Sequence, residues 1–334
     1  MEKLDVRGPD KTTIVLAMGA IVVLALSIFV GVGDLGDASL RGTFISLRIG
    51  RTVAAVIAGA ALSTAGVLVQ GIFRNPLAEP SVLGTTAGAV LGGKLVLFML
   101  EISLGALAPM LAPELLVPLG CIVGALVALG ILLALDRRGD DVLYLLLAGM
   151  GLSSLFIALG SLLIAIAQTR WELGRALVSF SLGSLSGVGT IQVLAAAPLV
   201  IVGVLAAASW SKTLDVLLTG DDEARTLGVD VHTTRRFVAV WVAVLTGTAV
   251  FLGGAIGFVG LVVPHAMRGL FGVRHARLIP ASAIAGGIFV VACDVLVRAV
   301  ETDSEIPLGV VTSLVGAPLF LQLLHRLRKE ARHG

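Results

Sequence analysis

The basic residues of this chain are sorted into two groups along its length, and only a membrane demands that sorting. The apolar residues fall into about ten runs: Thr12–Val32, Arg51–Gly71, Ser81–Leu100, Leu115–Leu135, Val142–Ala167, Ile191–Ser209, Phe237–Gly257, Phe258–Phe271, Leu278–Ala299 and Leu308–Leu327. Most approach the ~20 residues that span a bilayer as a helix. With the N-terminus inside and the sides alternating, seventeen of the 24 Lys and Arg residues fall inside, six fall outside, and Lys94 lies within a run. The inside group is the Met1–Lys11 stretch, Arg74, Arg137, Arg138, Lys212, Arg225, Arg235, Arg236, Arg268, Arg274, Arg277, Arg326, Arg328, Lys329 and Arg332. The outside group is Arg41, Arg48, Arg51, Arg170, Arg175 and Arg298. This is the bias that the positive-inside rule requires of an oriented multi-span protein.

Composition excludes the alternatives. A chain of 334 residues that is 57% hydrophobic exposes more apolar surface than one soluble core hides. Only 14% of residues are charged, and a net charge of +2 carries no nucleic-acid signal. The expected fold is all-α, a polytopic membrane protein of about ten transmembrane helices in one domain, 1–334. An open strand would leave its backbone unpaired in lipid. Thr12–Val32 is too long for a signal-peptide core and lacks a small-residue cleavage pattern, so it reads as a retained first span. Cys121 and Cys293 sit in apolar runs and read as packing residues.

Several stretches depart from plain spans. Phe258–Phe271 is too short to cross unaided and contains Pro264 and His265, which predicts a broken or tilted element. Ser179–Gly189 reads as a short re-entrant or interfacial helix on the outer side. The outer loop Glu101–Glu114 carries Pro109 and Pro113 and no basic residue. Gly84, Gly88 and Gly92 recur every four residues, as do Gly120/Gly124 and Gly253/Gly257, a small-xxx-small spacing that lets helix backbones approach. The stretches that open at Arg51 and Arg236 are faintly alike and run in opposite directions, as inverted transporter repeats do.

Candidate chemistry is sparse. Gly88 to Lys94 matches the start of a phosphate-binding loop, but Leu95 replaces the magnesium-binding hydroxyl and no soluble strand precedes it. Lys94 itself is unusual in a membrane interior, where it would face a water-filled cavity or pair with a carbonyl. Gly183 to Gly187 has Leu185 where a nucleophile elbow needs Ser. The histidines His232, His265, His275, His325 and His333 show no metal-ligand spacing. Asp294 is the single carboxylate well inside a run, four residues before Arg298, a spacing that suits a local ion pair. So few buried acids argue against an ion-gradient-driven secondary carrier, and the lack of a catalytic constellation argues against an intramembrane enzyme.

The loop Lys212–Arg236 is the largest inside segment. Thr219-Gly-Asp-Asp222 has a capping-box spacing and predicts a helix start, with Asp221, Asp222 and Glu223 at the positive end of the dipole. Gly228 is the natural stop, and a second short helix is expected near Val231. The hairpin is either a solvated connection or a lever that fits a groove on a soluble motor protein.

Ordered blocks then carry a resemblance. They are Arg48-Ile-Gly-Arg51, Gly66-Val-Leu-Val-Gln70-Gly71, Arg74-Asn-Pro-Leu-Ala-Glu-Pro80, Leu83-Gly84 and Gly88-Ala89. Further blocks are Leu218 through Val229, Gly257 through His265 with Arg268, and Ile306 through Thr312 followed by Gly316-Ala-Pro318. From Arg48 to Leu324 the chain resembles the FecCD family, permease subunits of type II ABC importers for iron–siderophores, haem and cobalamin. The resemblance implies ten transmembrane helices, a second permease copy, two cytoplasmic ATPase subunits that bind ATP and magnesium, a periplasmic binding protein, and an inner-membrane location with both termini cytoplasmic. No cofactor is expected on this chain. By motif position it implies ATPase coupling at Asp221, Asp222, Glu223, Ala224, Arg225, Leu227 and Gly228. It places binding-protein docking at Arg48, Arg51 and Arg298, and a pathway near Met150, Ser153 and Ser154. Gly50 and Glu79 stand where the family usually has Pro and Asp. The cargo expected is an iron chelate or haem, with cobalamin sharing the same blocks.

Purified alone, the chain is expected neither to bind nor to hydrolyse ATP, and Lys94→Ala to leave the nucleotide affinity of a full complex unchanged. Equilibrium binding of labelled nucleotide checks this; weaker binding in that variant would reinstate Gly88–Lys94 as a phosphate loop.

Overall fold

The computed structural model describes residues 11–31, 39–102, 113–135, 142–300 and 306–330. All regular elements among these residues are helices. Seven are long and apolar enough to cross a membrane: α2 (Arg41–Phe73), α3 (Thr85–Ile102), α4 (Pro113–Leu135), α5 (Val142–Ala167), α7 (Thr190–Ser209), α10 (Val231–Gly253) and α12 (His275–Ala299). Three shorter apolar stretches belong to α1 (Lys11–Phe29), α11 (Val259–Phe271) and α13 (Leu308–Glu330). These ten helices correspond to the ten apolar runs. Between them lie α6 (Trp171–Leu182), α8 (Ser211–Leu217), α9 (Asp221–Thr226) and a 3-10 turn, Pro80–Leu83. The loop 103–112, Arg137, Arg138 and residues 1–10 and 331–334 lie outside the described residues, and with them part of the charge argument.

α2 is the axis of the bundle. Its most apolar stretch is 83% buried and that of α10 is 72%, against 22% for α5 and for α7. α2 packs on α12, α10, α11 and α7. Lipid tails are as apolar as side chains, so close backbone packing rather than hydrophobic burial must hold such helices together. Small residues provide it. Gly59 faces the backbone of Gly286 and Gly287, and Gly66 faces the carbonyl of Gly260. Ser63 donates its hydroxyl to the Ser282 carbonyl at 2.6 Å. Gly88 and Gly92 of α3 meet Gly124 and Gly120 of α4, so the phosphate-loop look-alike is a helix contact.

Two glycine readings need correction. Gly84 precedes α3 and closes the 3-10 turn with φ 75°, and Gly257 lies beyond the end of α10, so neither continues a helical stripe. Both fail for one reason: the runs are interrupted where the backbone turns. The short helix expected over Ser179–Gly189 is instead Trp171–Leu182, and the segment after it is a non-helical connection with a turn at Ser186–Gly187.

Three chain breaks meet at one place. α6 stops at Gly183 (φ 81°) and α10 at Gly254 (φ 66°), conformations that a side chain disfavours. The Leu308 N–H donates to the Gly183 carbonyl at 2.8 Å. Gly309, at the start of α13, packs on the carbonyls of Ala255 and Leu182. Broken backbone at membrane depth survives only where protein supplies such partners. A cavity of about 690 Å³ opens beside this junction, lined by residues that include Ser181, Ala255, Ser313 and Leu314.

A methyl group at position 66 has nowhere to go except into the Gly260 backbone. Gly66→Ala is therefore expected to destabilise the bundle by roughly 1–3 kcal/mol, as overpacking does. Gly130→Ala, whose added carbon meets nothing within 4 Å, should shift stability by less than ~1 kcal/mol and upward. Thermal unfolding in detergent reads both.

Candidate functional site

The segment joining α7 to α10 is a mounted hairpin. Trp210 stacks on Phe237 with ring centroids 4.3 Å apart, which seats the start of α8 against α10. On α8, one oxygen of Asp215 accepts the His275 backbone N–H at 2.9 Å and lies 2.7 Å from His275 Nδ1. A carboxylate there satisfies a first-turn amide of α12 and faces the positive end of its dipole.

α9 starts at Asp221, and its N-cap is Gly220 with φ 129°. The capping-box expectation for Thr219 is thus corrected. Thr219 turns its hydroxyl back to the Val216 carbonyl at 2.8 Å, and the sharp entry at position 220 admits only glycine. Asp221, Asp222 and Glu223 occupy the first turn, where acids complement the dipole. Asp221 does more. It lies 2.9 Å from Arg235 of α10 and 3.3 Å from Arg74, the residue that ends α2. One carboxylate thereby ties the hairpin to both core helices. The helix ends as expected at Gly228 (φ 83°), whose N–H reaches Arg225 at 3.0 Å while Val229 N–H reaches the Ala224 carbonyl at 2.9 Å, a Schellman closure. Ala224 is buried beneath it, and Leu227 points outward at 66% exposed. Asp222 and Arg225 form a solvent-facing pair at 3.3 Å.

No separate second helix follows. α10 itself begins at Val231, capped by Asp230, which accepts from the Thr233 hydroxyl at 2.7 Å and its N–H at 3.1 Å. Those bonds hold the Asp230 carboxyl below its usual range. The cap's stabilisation is therefore present above the ordinary carboxylate pKa and is lost as pH falls through the lowered folded value.

At the opposite end of the bundle, Arg48 and Arg298 engage the end of α1, and Arg51 joins them through Asp294. Arg48 donates to the carbonyls of Ile28 and Phe29 at 3.0 Å each and of Gly31 at 2.7 Å. Arg298 donates to Ser27 and Val30 at 2.7 and 3.0 Å. The two guanidiniums thus satisfy the open carbonyls at the C-terminus of a membrane helix. Fully buried Asp294 binds Arg298 at 2.9 Å and Arg51 at 2.7 Å. The local pair expected from spacing is one part of this network. Arg48 and Arg298 are buried, and the Arg51 side chain stays 18% exposed.

The remaining candidates separate. Met150 and Ser154 share the exposed face of α5, whereas Ser153 turns to the Ser81 carbonyl at 3.2 Å. Lys94 is buried, with Gly160 of α5 opposite its ammonium; Gly160 makes room for it. No group of three or more His, Cys, Asp or Glu residues suited to a metal occurs among the described residues.

Sequence reading missed two residues that position α11. Phe258, its N-cap, has φ 65°, and its N–H donates to Glu79 at 3.0 Å. Gln70 donates to the Gly260 carbonyl at 3.3 Å and accepts from Arg268 at 2.9 Å. The signal was a polar residue inside an apolar span or beside a proline, where lipid offers no partner.

A bundle of complete and broken apolar helices with an exposed hairpin at one end is the build of a membrane transport subunit. The chain belongs to the FecCD transport family, matching it over residues 12–326. It is 39% identical over 282 residues to the Fe(3+) dicitrate transport system permease protein FecD of Escherichia coli, covering 84% of each chain. It is 32% identical over 337 residues to the hemin transport system permease protein HmuU of Yersinia pestis, covering 94% of this chain and 97% of that one. A solved metal-chelate type ABC transporter in an inward-facing conformation superposes with a TM-score of 0.81 at 30% identity, covering 93% of this chain and 97% of the other.

Removing Asp294 takes the buried carboxylate away from both Arg298 and Arg51. Asp294→Ala is expected to cost roughly 3–5 kcal/mol, and Arg51→Met/Asp294→Leu/Arg298→Met to recover part of that loss. Melting of both variants in detergent tests whether the network acts as a unit; equal melting points would exclude it.

Proposed function

We propose that this chain is the permease subunit of an ATP-driven importer, paired with a second permease copy and served by two ATPase subunits and a binding protein. The hairpin end faces the cytoplasm, together with both termini, because the basic residues gather on that side. The protein is then a multi-pass subunit of a bacterial inner membrane. ATP and magnesium bind the ATPase, and this chain supplies the path. The cargo is an iron chelate or haem, with cobalamin the alternative.

The observation that carries the proposal is the mounting of α9. A solvated connection needs no anchor, yet Asp221 clamps this six-residue helix to α2 and α10, and Asp215 clamps α8 to α12. An exposed face bearing Leu227, Asp222 and Arg225 on so firm a base suits a lever in a cleft of a motor protein. Displacement of the lever passes to three core helices at once. Asp221, Asp222, Glu223, Ala224, Arg225, Leu227 and Gly228 form this coupling element. At the other end, Arg48, Arg51 and Arg298 give the outer face its positive field, and Arg51 is the guanidinium that an acidic binding protein reaches. Met150 and Ser154 line the route between copies, and Ser153 holds their helix to the 3-10 turn.

Reconstituted with its ATPase in proteoliposomes, Gly228→Pro is expected to hydrolyse ATP while losing most uptake. Proline fixes φ near −65° where the native value is positive and deletes the N–H that closes the helix. Reversing Asp221–Glu223 to lysine should do the same through the dipole. Normal uptake by both variants would remove the hairpin from the mechanism, and uptake driven by an ion gradient without the ATPase would overturn the proposal.

A further inference from the structure

A groove of about 540 Å³ runs along the flank of the bundle, between α1 on one side and α11 and α12 on the other. Ala17, Ala20, Val23, Met267, Ala285 and Ile288 are among its apolar walls. It is open because its lining is small: a carbon added at Gly19 would meet nothing within 4 Å. The surrounding residues mark this flank as lipid-facing, with Met18 62%, Ile21 66% and Ile284 66% exposed. The lining stops at Val23 on α1 and Phe289 on α12, part-way along both helices. A neighbouring transmembrane helix would run on past those residues. One acyl chain of one leaflet would not.

The end of the groove nearest the hairpin is basic. Phe271, in the lining, is the last residue of α11, and Arg274 and Arg277 follow at the start of α12. Both are exposed, and neither forms an ion pair with a described residue. Arg277, Ala281, Ile284 and Ile288 recur at i, i+4, i+7 and i+11, so the cation stands on the stripe that floors the groove. Hydrocarbon in the groove and a phosphate at its basic mouth is the chemistry of an anionic phospholipid, which basic sites between helices on the cytoplasmic side select.

We propose that this groove is a binding site for an anionic phospholipid, one acyl chain lying against α1, α11 and α12 and the phosphate held by Arg274 and Arg277. In the orientation proposed above this is a lipid of the cytoplasmic leaflet, but binding itself does not depend on that orientation. The lipid would fasten α1, whose hydrogen bonds to the bundle lie at the arginine end, to the cytoplasmic ends of α11 and α12.

Native mass spectrometry of the delipidated full-length chain, titrated with phosphatidylglycerol or with phosphatidylcholine of identical acyl chains, tests this. Phosphatidylglycerol is expected to bind more tightly, with Arg274→Gln and Arg277→Gln each lowering its affinity about fivefold and leaving phosphatidylcholine unchanged. Added salt should erode the same preference. Gly19→Leu, whose Cβ meets no neighbour, puts a larger side chain in the groove lining and should weaken both lipids. Arginine variants that bind phosphatidylglycerol as the wild type does would overturn the headgroup site. Gly19→Leu with undiminished lipid would overturn the groove. A wild-type dimer dissolved by Gly19→Leu, with no dependence on lipid charge, would assign the face to a second copy and overturn the lipid.

Discussion

Backbone contact along α2 is the interaction on which the rest of this bundle depends. In lipid the apolar side chains gain nothing by leaving one hydrocarbon for another, so adhesion comes from closeness. α2 achieves it on two sides, with Gly59 against Gly286 of α12 and Gly66 against Gly260 of α11. Each contact puts one helix's carbonyls where a side chain would otherwise stand. The cost is generality: only these pairs in this register fit, which is why the packing specifies one arrangement of otherwise similar apolar helices.

The second constraint is that helix ends inside a membrane have no water to turn to. The chain meets it with a small set of polar side chains, each assigned to a particular end. Arg48 and Arg298 cover the last carbonyls of α1, Glu79 covers the first amide of α11, and Asp215 covers that of α12. Gln70 serves α11 twice, at a carbonyl near its start and at Arg268 near its other end. Among the charged and amide residues buried in the described helices, Arg48 and Arg298 serve as terminators, Asp294 binds Arg298 and Arg51, and Lys94 stands opposite Gly160. The three chain breaks at one junction are met by backbone partners instead, the Leu308 N–H donating to the Gly183 carbonyl, and few ionisable groups are left for proton or sodium chemistry.

Much of this was legible in the sequence, and what was not follows a pattern. The ten apolar runs became the ten principal helices because length and hydropathy are local properties, and α9 ended at Gly228 because a left-handed stop is a local demand. Boundaries failed at helix starts whose first turns are polar and run beyond the apolar stretch. α2 begins at Arg41 rather than Arg51, and α10 begins at Val231 because Asp230 caps it there. Thr219 looked like a cap by spacing, yet Gly220 took the role because the chain enters α9 at an angle that no pattern of polar residues reports. The three arginines were legible as a group from their placement against the charge bias. Their engagement with α1 was not, since it joins residues about 20 and 270 positions apart.

Those two ends of the molecule are joined by the same helices. α2 carries Arg48 and Arg51 near one end and finishes at Arg74, where Asp221 grips it. α12 carries Asp294 and Arg298 near one end and opens at His275, where Asp215 grips it. Glycine contacts lock α2 to α12 between these points, so neither helix shifts without the other. The hairpin therefore hangs from a rigid pair whose far end holds the arginine cluster and α1. In the proposed coupling, force on α9 would pass through the Asp221–Arg74 and Asp221–Arg235 ion pairs and then along packed backbone toward that cluster. α5, only 22% buried in its apolar stretch, stands outside this unit. In the importer proposed above, the conformational cycle would move the α2–α12 body against the exposed face of α5, which bears Met150 and Ser154.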